Sequence, residues 1–114
     1  MVNVLSALEE FAQECNHNER LRKMNRDWSR LLELDATDTG AIYWIRSDQG
    51  LLTAGTGAVQ GVDLKISATE NILRDVFSGV ITPTEPYNAG DLLVKGRQDD
   101  LMRLDIITLL IWGE

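Results

Sequence analysis

One cysteine, Cys15, and one histidine, His17, are all the sequence offers of the two residue types that most often do nucleophilic or metal chemistry. A lone cysteine closes no internal disulfide and builds no cysteine metal framework, and it suits a reducing, cytoplasmic setting. Any Ser-His-Asp or Cys-His arrangement would have to use His17, which sits in the polar run CNHNE, and no serine occupies a nucleophile-elbow pattern. On these grounds no enzyme activity, no metal and no cofactor are expected. A basic excess is also lacking. With 18 acidic against 11 basic residues the net charge is −7, so the chain has no overall footprint for nucleic acid or for an anionic membrane surface. Its one basic cluster, Arg20, Arg22, Lys23, Arg26 and Arg30, has no regular aromatic interleaving and reads as a solvated helix face. The longest apolar run, IITLLIWG, falls far short of the ~20 residues of a membrane-spanning helix. The opening MVNVLSALEE carries no basic cluster ahead of an apolar stretch and predicts no secretory leader.

What is present is enough for one domain. At 114 residues, with 44% hydrophobic and 25% charged side chains, the chain can bury a single core. Residues 1–27 read as a helical segment. Val4, Leu5, Leu8, Phe11, Ala12 and Cys15 share one helical face, and Asn16, His17 and Asn18 predict a bend before Leu21 and Met24 resume it. Residues 28–67 read as strands. Trp28, Leu32, Leu34 and Ala36 share one side of the first, TDTG and DQG are turns, and AIYWIRS is apolar on both sides. VDLKIS alternates with Val62, Leu64 and Ile66 inward, and the short spacings predict an antiparallel meander.

Residues 68–114 read as helix, turn, strand and helix. Ser67 and Glu70 have capping-box spacing ahead of the apolar face Ile72, Leu73, Val76 and Phe77, and Gly79 falls where a left-handed cap would sit. Pro83 suits the first turn of a short helix, and Pro86 predicts its early end. GDLLVKG is no phosphate loop. Such a loop needs its lysine after the second glycine, whereas Lys95 precedes Gly96, and Asp91 would repel the anion. GTGAVQG lacks the third glycine and the downstream helix of a dinucleotide site and reads as a bend or bulge in a strand. Asp99 and Asp100 read as acids complementing a helix N-terminus rather than an acid–base pair.

The last helix departs from the usual pattern. Leu101, Met102, Leu104, Ile106, Ile107, Leu109, Leu110, Ile111 and Trp112 point all the way round it, whereas a surface helix carries one apolar stripe. Its second apolar side needs cover, which more of the chain, a partner subunit or an apolar ligand could each supply.

The order and spacing of these elements resemble the sterol carrier protein type-2 lipid-binding domain family. The resemblance is strongest from Asp63 to Leu104. A strand and a capped helix lead to Gly79, then Pro83, Tyr87, Gly90 and, after a five-residue strand, Gly96, in the family's register. It extends more loosely back to Trp28 and the N-terminal helix. Pro86 departs from it, standing where a small helix-former is usual, and so does Asp91, where a basic residue often stands. The resemblance implies an α+β fold: a five-stranded, mostly antiparallel sheet covered by helices, with an apolar tunnel between the layers. It implies a non-catalytic carrier of a sterol, a fatty acyl chain or another lipid. From the apolar residues themselves, the candidate lining is Ile72, Val76, Phe77, Tyr87, Leu101, Leu104, Ile107 and Ile111, with Trp44 beneath. The alternative is a dimerising or accessory module with a filled core, its extra apolar face paired with a second copy through the C-terminal helix.

Overall fold

The computed structural model describes residues 3–112, and side chains as far as Ile111, so the expectation for the Trp112 ring lies outside the described residues. Helix α1, Val4–His17, is capped by Asn3, whose side chain accepts the Ser6 N–H at 2.8 Å. Its buried face is Val4, Ala7, Leu8, Phe11, Ala12 and Cys15. Burying a Leu or Phe of this kind stabilises by about 1.5–3 kcal/mol. The expected bend is a full break. Asn18 leaves the helical conformation (φ −98°, ψ 108°), and its side chain accepts the Leu21 N–H at 3.1 Å, which starts a second helix, α2, Glu19–Met24.

Five strands follow as one sheet: β1 (Arg30–Ala36), β2 (Ile42–Asp48), β3 (Leu51–Thr56), β4 (Leu64–Ala68) and β5 (Leu93–Gly96), in the order β3-β2-β1-β4-β5. β1–β2, β2–β3 and β4–β5 are antiparallel, as expected of a mostly antiparallel sheet. The meander expectation fails at β4, which lies on the far side of β1 and parallel to it, with Leu32 beside Leu64 and Leu34 beside Ile66. Residues 57–63 return along the length of the sheet instead of forming a hairpin. At roughly 3.3 Å per extended residue they are long enough to do so. Asp63 then fixes where β4 begins: its N–H donates to the Leu31 carbonyl at 2.8 Å, and its carboxylate accepts the Leu31 N–H at 2.9 Å.

One face of the sheet is the core face. Leu32, Leu34, Ala36, Ile45, Leu52, Leu64, Ile66 and Ala68 are buried on it beneath the helices. The opposite face mixes charged side chains with apolar ones, and there Lys65 pairs with Asp35 at 3.1 Å and with Glu33 at 3.8 Å. Burial first, then a hydrogen bond that the protonated Glu33 carboxyl donates to Asp35 and the negative charge of Asp35, raise the pKa of Glu33, with Lys65 opposing. Cys15 is free and buried. That burial, with Glu14 nearby, pushes its pKa up to about 12, so it carries no reactive thiolate.

Helix α3, Glu70–Phe77, is capped by Thr69, which accepts the Ile72 N–H at 3.4 Å, and not by the expected Ser67. Ser67 is still in β4, so Glu70 has no capping partner there and reaches elsewhere. It accepts hydrogen bonds from the Tyr43 hydroxyl at 2.9 Å and the Thr39 hydroxyl at 3.0 Å. Gly79 closes α3 as expected: Val80 N–H donates to the Asp75 carbonyl at 2.8 Å and Gly79 N–H to Val76 at 3.3 Å. The short helix α4, Thr84–Ala89, runs through Pro86 instead of ending there. Pro86 falls in the first turn, where a helix has no internal partner for an N–H, so the proline costs nothing there. Helix α5, Gln98–Trp112, is the last element of the described residues.

Candidate functional site

The residues expected to line a site belong to α3, α4 and α5, with Trp44 in β2. Val76, Phe77, Leu101, Leu104 and Ile107 are buried in one continuous core, and Ile72, Tyr87 and Ile111 pack against it half-buried. Phe77 meets Phe11 of α1 edge-on, ring centres 5.1 Å apart at 85°, a favourable aromatic geometry. Eight of the nine candidate residues thus belong to the hydrophobic core, which they share with α1 and the sheet; Trp44 does not. Alternation along β2 sends the buried Ile45 to the core face, so Trp44 lies on the other face. Its ring covers Gly55 so closely that a Cβ there would sit 2.5 Å from the indole. The glycine that reads as a bend or bulge is a regular strand position left bare for a tryptophan.

Helix α5 is held to the body differently at its two ends. Near its start Asp100 is buried, and its carboxylate accepts Trp28 Nε1–H at 2.9 Å and Arg30 Nε–H at 3.2 Å. One turn on, Arg103 donates to the Met24 carbonyl at 2.9 Å and lies over the Trp28 ring, 5.6 Å from its centre. Asp100 is thus more than an acid complementing a helix dipole, because it ties α5 to β1 and to the segment before it. Arg30, read from the sequence with the basic cluster of residues 20–26, belongs to this buried tie instead. Beyond Arg103, among the described residues, the polar tie to the body is a single bond, from Thr84 N–H to the Asp105 carboxylate at 3.1 Å. Thr108 is buried but bonds within its own helix, to the Asp105 carbonyl at 2.9 Å.

The outer side of α5 remains apolar, as its all-round pattern predicts. Met102, Ile106 and Leu109 form a stripe at i, i+4 and i+7, exposed by 59%, 46% and 53%. Beside the end of this stripe is a hollow of about 180 Å³ lined by Gly79, Val80, Ile81, Thr82, Glu85, Thr108 and Leu109. It is bordered by the turn after α3, the start of α4 and the second half of α5. Val80 is 68% exposed at its rim. None of the nine candidate residues lines this hollow; it lies at the edge of the core they share. Sequence reasoning missed Val80, Ile81 and Leu109 as a wall. The available signal was the pair of β-branched residues directly after the Gly79 cap.

No family model matches the chain, and no curated protein matches it by sequence. Solved structures match it by shape. The ubiquinone synthesis protein UbiJ-SCP2 superposes with a TM-score of 0.77 at 12% identity, covering 95% of each chain. Palmitated SCP2L2 from Aedes aegypti superposes with a TM-score of 0.74 at 13% identity, over 94% of this chain and 95% of that one. The chain has the sterol carrier protein fold. The α+β architecture implied by the glycine and proline register from Gly79 to Gly96 is therefore the one observed. The same fold also occurs inside a longer enzyme. The sec-alkylsulfatase Pisa1 from Pseudomonas sp. matches 75% of this chain with a TM-score of 0.65 and 14% identity, and this chain spans 14% of that enzyme's length.

Among the described residues, no group of three or more His, Cys, Asp or Glu side chains could hold a metal ion, and no helix is long and apolar enough to cross a membrane.

Proposed function

We propose that this protein is a non-catalytic carrier for an apolar small molecule, a sterol, a fatty acyl chain or another lipid, held between α5 and the α3–α4 segment. The observation that carries this reading is the two-sided apolar character of α5. Its inner side, Leu101, Leu104 and Ile107, is buried in the core, and its outer side leaves Met102, Ile106 and Leu109 uncovered beside a hollow walled in part by Val80, Ile81 and Leu109. The palmitated neighbour of the same fold supports an acyl chain as ligand. The eight clustered residues, Ile72, Val76, Phe77, Tyr87, Leu101, Leu104, Ile107 and Ile111, are the proposed lining, and Trp44 is withdrawn from it.

The hollow at the edge of this set is smaller than the ~300 Å³ at which ligand pockets begin. A chain therefore enlarges it by moving the second half of α5 outward, where one hydrogen bond rather than a buried ion pair holds the helix. Each methylene taken from water contributes about 0.8 kcal/mol toward that displacement. The test is mass spectrometry of organic extracts from natively purified protein, with titration of a fluorescent fatty-acyl probe. Co-purified lipid, or saturable micromolar binding, is expected. Extracts free of lipid together with no probe binding would rule the carrier reading out.

The exposed stripe favours one second reading, a homodimer or accessory contact through α5 that covers Met102, Ile106 and Leu109 in place of a ligand. Light scattering across a wide concentration range distinguishes them, since a strict monomer excludes the dimer. On either reading the protein takes no cofactor, binds no nucleic acid, and works in the cytoplasm, where the free Cys15 stays reduced.

A further inference from the structure

The sharpest charge asymmetry in the chain lies away from α5. Residues 20–26, RLRKMNR, hold four of the 11 basic residues and none of the 18 acidic ones, so with a net charge of −7 this stretch carries +4 and the rest of the chain −11. Arg20, Arg22, Lys23 and Arg26 are all exposed. Two acids, Glu19 and Asp27, flank them, and Glu19 pairs with Lys23 at 3.4 Å across an exposed helix turn. Among the described residues no ion pair engages Arg20, Arg22 or Arg26.

These cations border a hollow instead of standing on a flat face. Arg22, Lys23 and Arg26 form one wall of a space of about 340 Å³, with Glu19 beside them and Gln49 of the β2–β3 turn and Leu51 at the start of β3 opposite. Both walls are fixed by the fold. Gly50, at φ +85°, packs so tightly on α2 that a Cβ there would lie 2.5 Å from the Arg22 carbonyl oxygen. Next to it the Asn16 side chain exchanges two hydrogen bonds with the Leu52 backbone, at 2.8 and 2.9 Å, closing that edge of the sheet. Leu52 points into the core, so alternation turns Leu51 outward, and it is 53% exposed at the lip of the hollow.

This combination defines its occupant. Guanidinium forks are matched to carboxylates, Gln49 can both donate to and accept from a main chain, and Leu51 offers one apolar contact. A flat bilayer would touch the rims and leave the hollow empty, and a small free anion would make no use of Leu51. We propose that the hollow between α2 and the β2–β3 turn docks an acidic segment of a partner protein, carboxylates on Arg22 and Arg26 and an apolar side chain on Leu51. This does not depend on the carrier reading.

The experiment titrates the full chain against a fluorescein-labelled peptide alternating Glu and Leu, with the Lys-for-Glu peptide, phosphatidylserine vesicles and inorganic pyrophosphate in parallel. The acidic peptide is expected to bind and the lysine peptide not to. Binding should weaken about tenfold in Arg22→Glu/Arg26→Glu and about threefold in Leu51→Ser, and should fall as salt screens the pairs. Arg22→Gln/Arg26→Gln, which only neutralises the charge, should fall between wild type and the reversal and serves if the reversal does not fold. Peptide affinity unchanged in the charge variants would overturn the proposal. So would binding of vesicles or pyrophosphate without binding of the peptide, or no binding at all.

Discussion

The two halves of α5 are one continuous helix, yet they are attached by different physics. From Gln98 to Leu104 the helix is held by directional bonds: Asp100 to Trp28 and Arg30, and Arg103 to Met24 and the Trp28 ring. From Asp105 onward, among the described residues, it is held by apolar packing and one hydrogen bond to Thr84, with Ile106 and Leu109 left outside. Directional bonds between buried groups are lost abruptly when geometry shifts, because each orphaned partner pays its full desolvation cost. Apolar contacts are non-directional, and an acyl chain of similar character can replace them. A helix fastened in this way can open at one end without leaving the body at the other. That division makes a carrier reading compatible with a closed core.

The largest expected effect tests the fastened half. Asp100→Ala leaves the Trp28 indole N–H and the Arg30 charge without their partner, and urea denaturation should show a loss of about 3 kcal/mol. A change within experimental error would mean that the first half of α5 is not anchored as described. Leu104→Trp probes the boundary between the halves. Overpacking the unliganded core should cost about 1–3 kcal/mol, and the same ring should displace an acyl probe. A large stability loss with unaltered probe binding would remove Leu104 from the lining. In the second half, Asp105→Ala removes one hydrogen bond to the Thr84 N–H and should cost no more than about 1 kcal/mol. An effect as large as that of Asp100→Ala would erase the contrast between the two halves.

How far the sequence foretold this contrast depends on the range of the signal. Gly79 was legible as the end of α3 because a cap is local, acting within a few residues of the helix it closes; the course of α4 through Pro86 to Gly90 was not, because proline is tolerated in a first turn but the sequence does not mark where that turn begins. The all-round apolar pattern of α5 was legible because it too is local. Asp100 was not. An acid at a helix start is written the same way whether it faces water or a buried indole, and its partners lie about 70 residues earlier in the chain. The placement of Trp44 was hidden because AIYWIRS is apolar on both sides, so alternation alone could not say which side faced the helices. The parallel seat of β4 was hidden because residues 57–63 are short enough to suggest a hairpin and long enough to run back along the sheet.

The smallest effect belongs to the outer face of the sheet, opposite the packing of α5 on the core side, and so serves as its control. The pKa of Glu33 is raised in the folded protein, chiefly by burial and then by Asp35. A carboxyl with a raised folded pKa binds its proton more tightly when folded. Its contribution is therefore fully present below the unfolded value and is lost as pH rises through the folded one. The Tm of Glu33→Gln minus that of wild type should accordingly be more positive at pH 7 than at pH 4, with acyl-probe binding unaffected. A difference of the opposite sign would show that the pairing with Lys65 outweighs burial.

The central claim, that an apolar ligand enters by displacing only the second half of α5, is most directly tested by amide hydrogen exchange along that helix with and without saturating palmitate. The account predicts that exchange changes from Asp105 to Ile111, and in the Gly79–Thr82 wall facing it, while amides from Leu101 to Leu104 keep their protection. Unchanged exchange throughout at saturation, or an equal change along the whole helix, would contradict it.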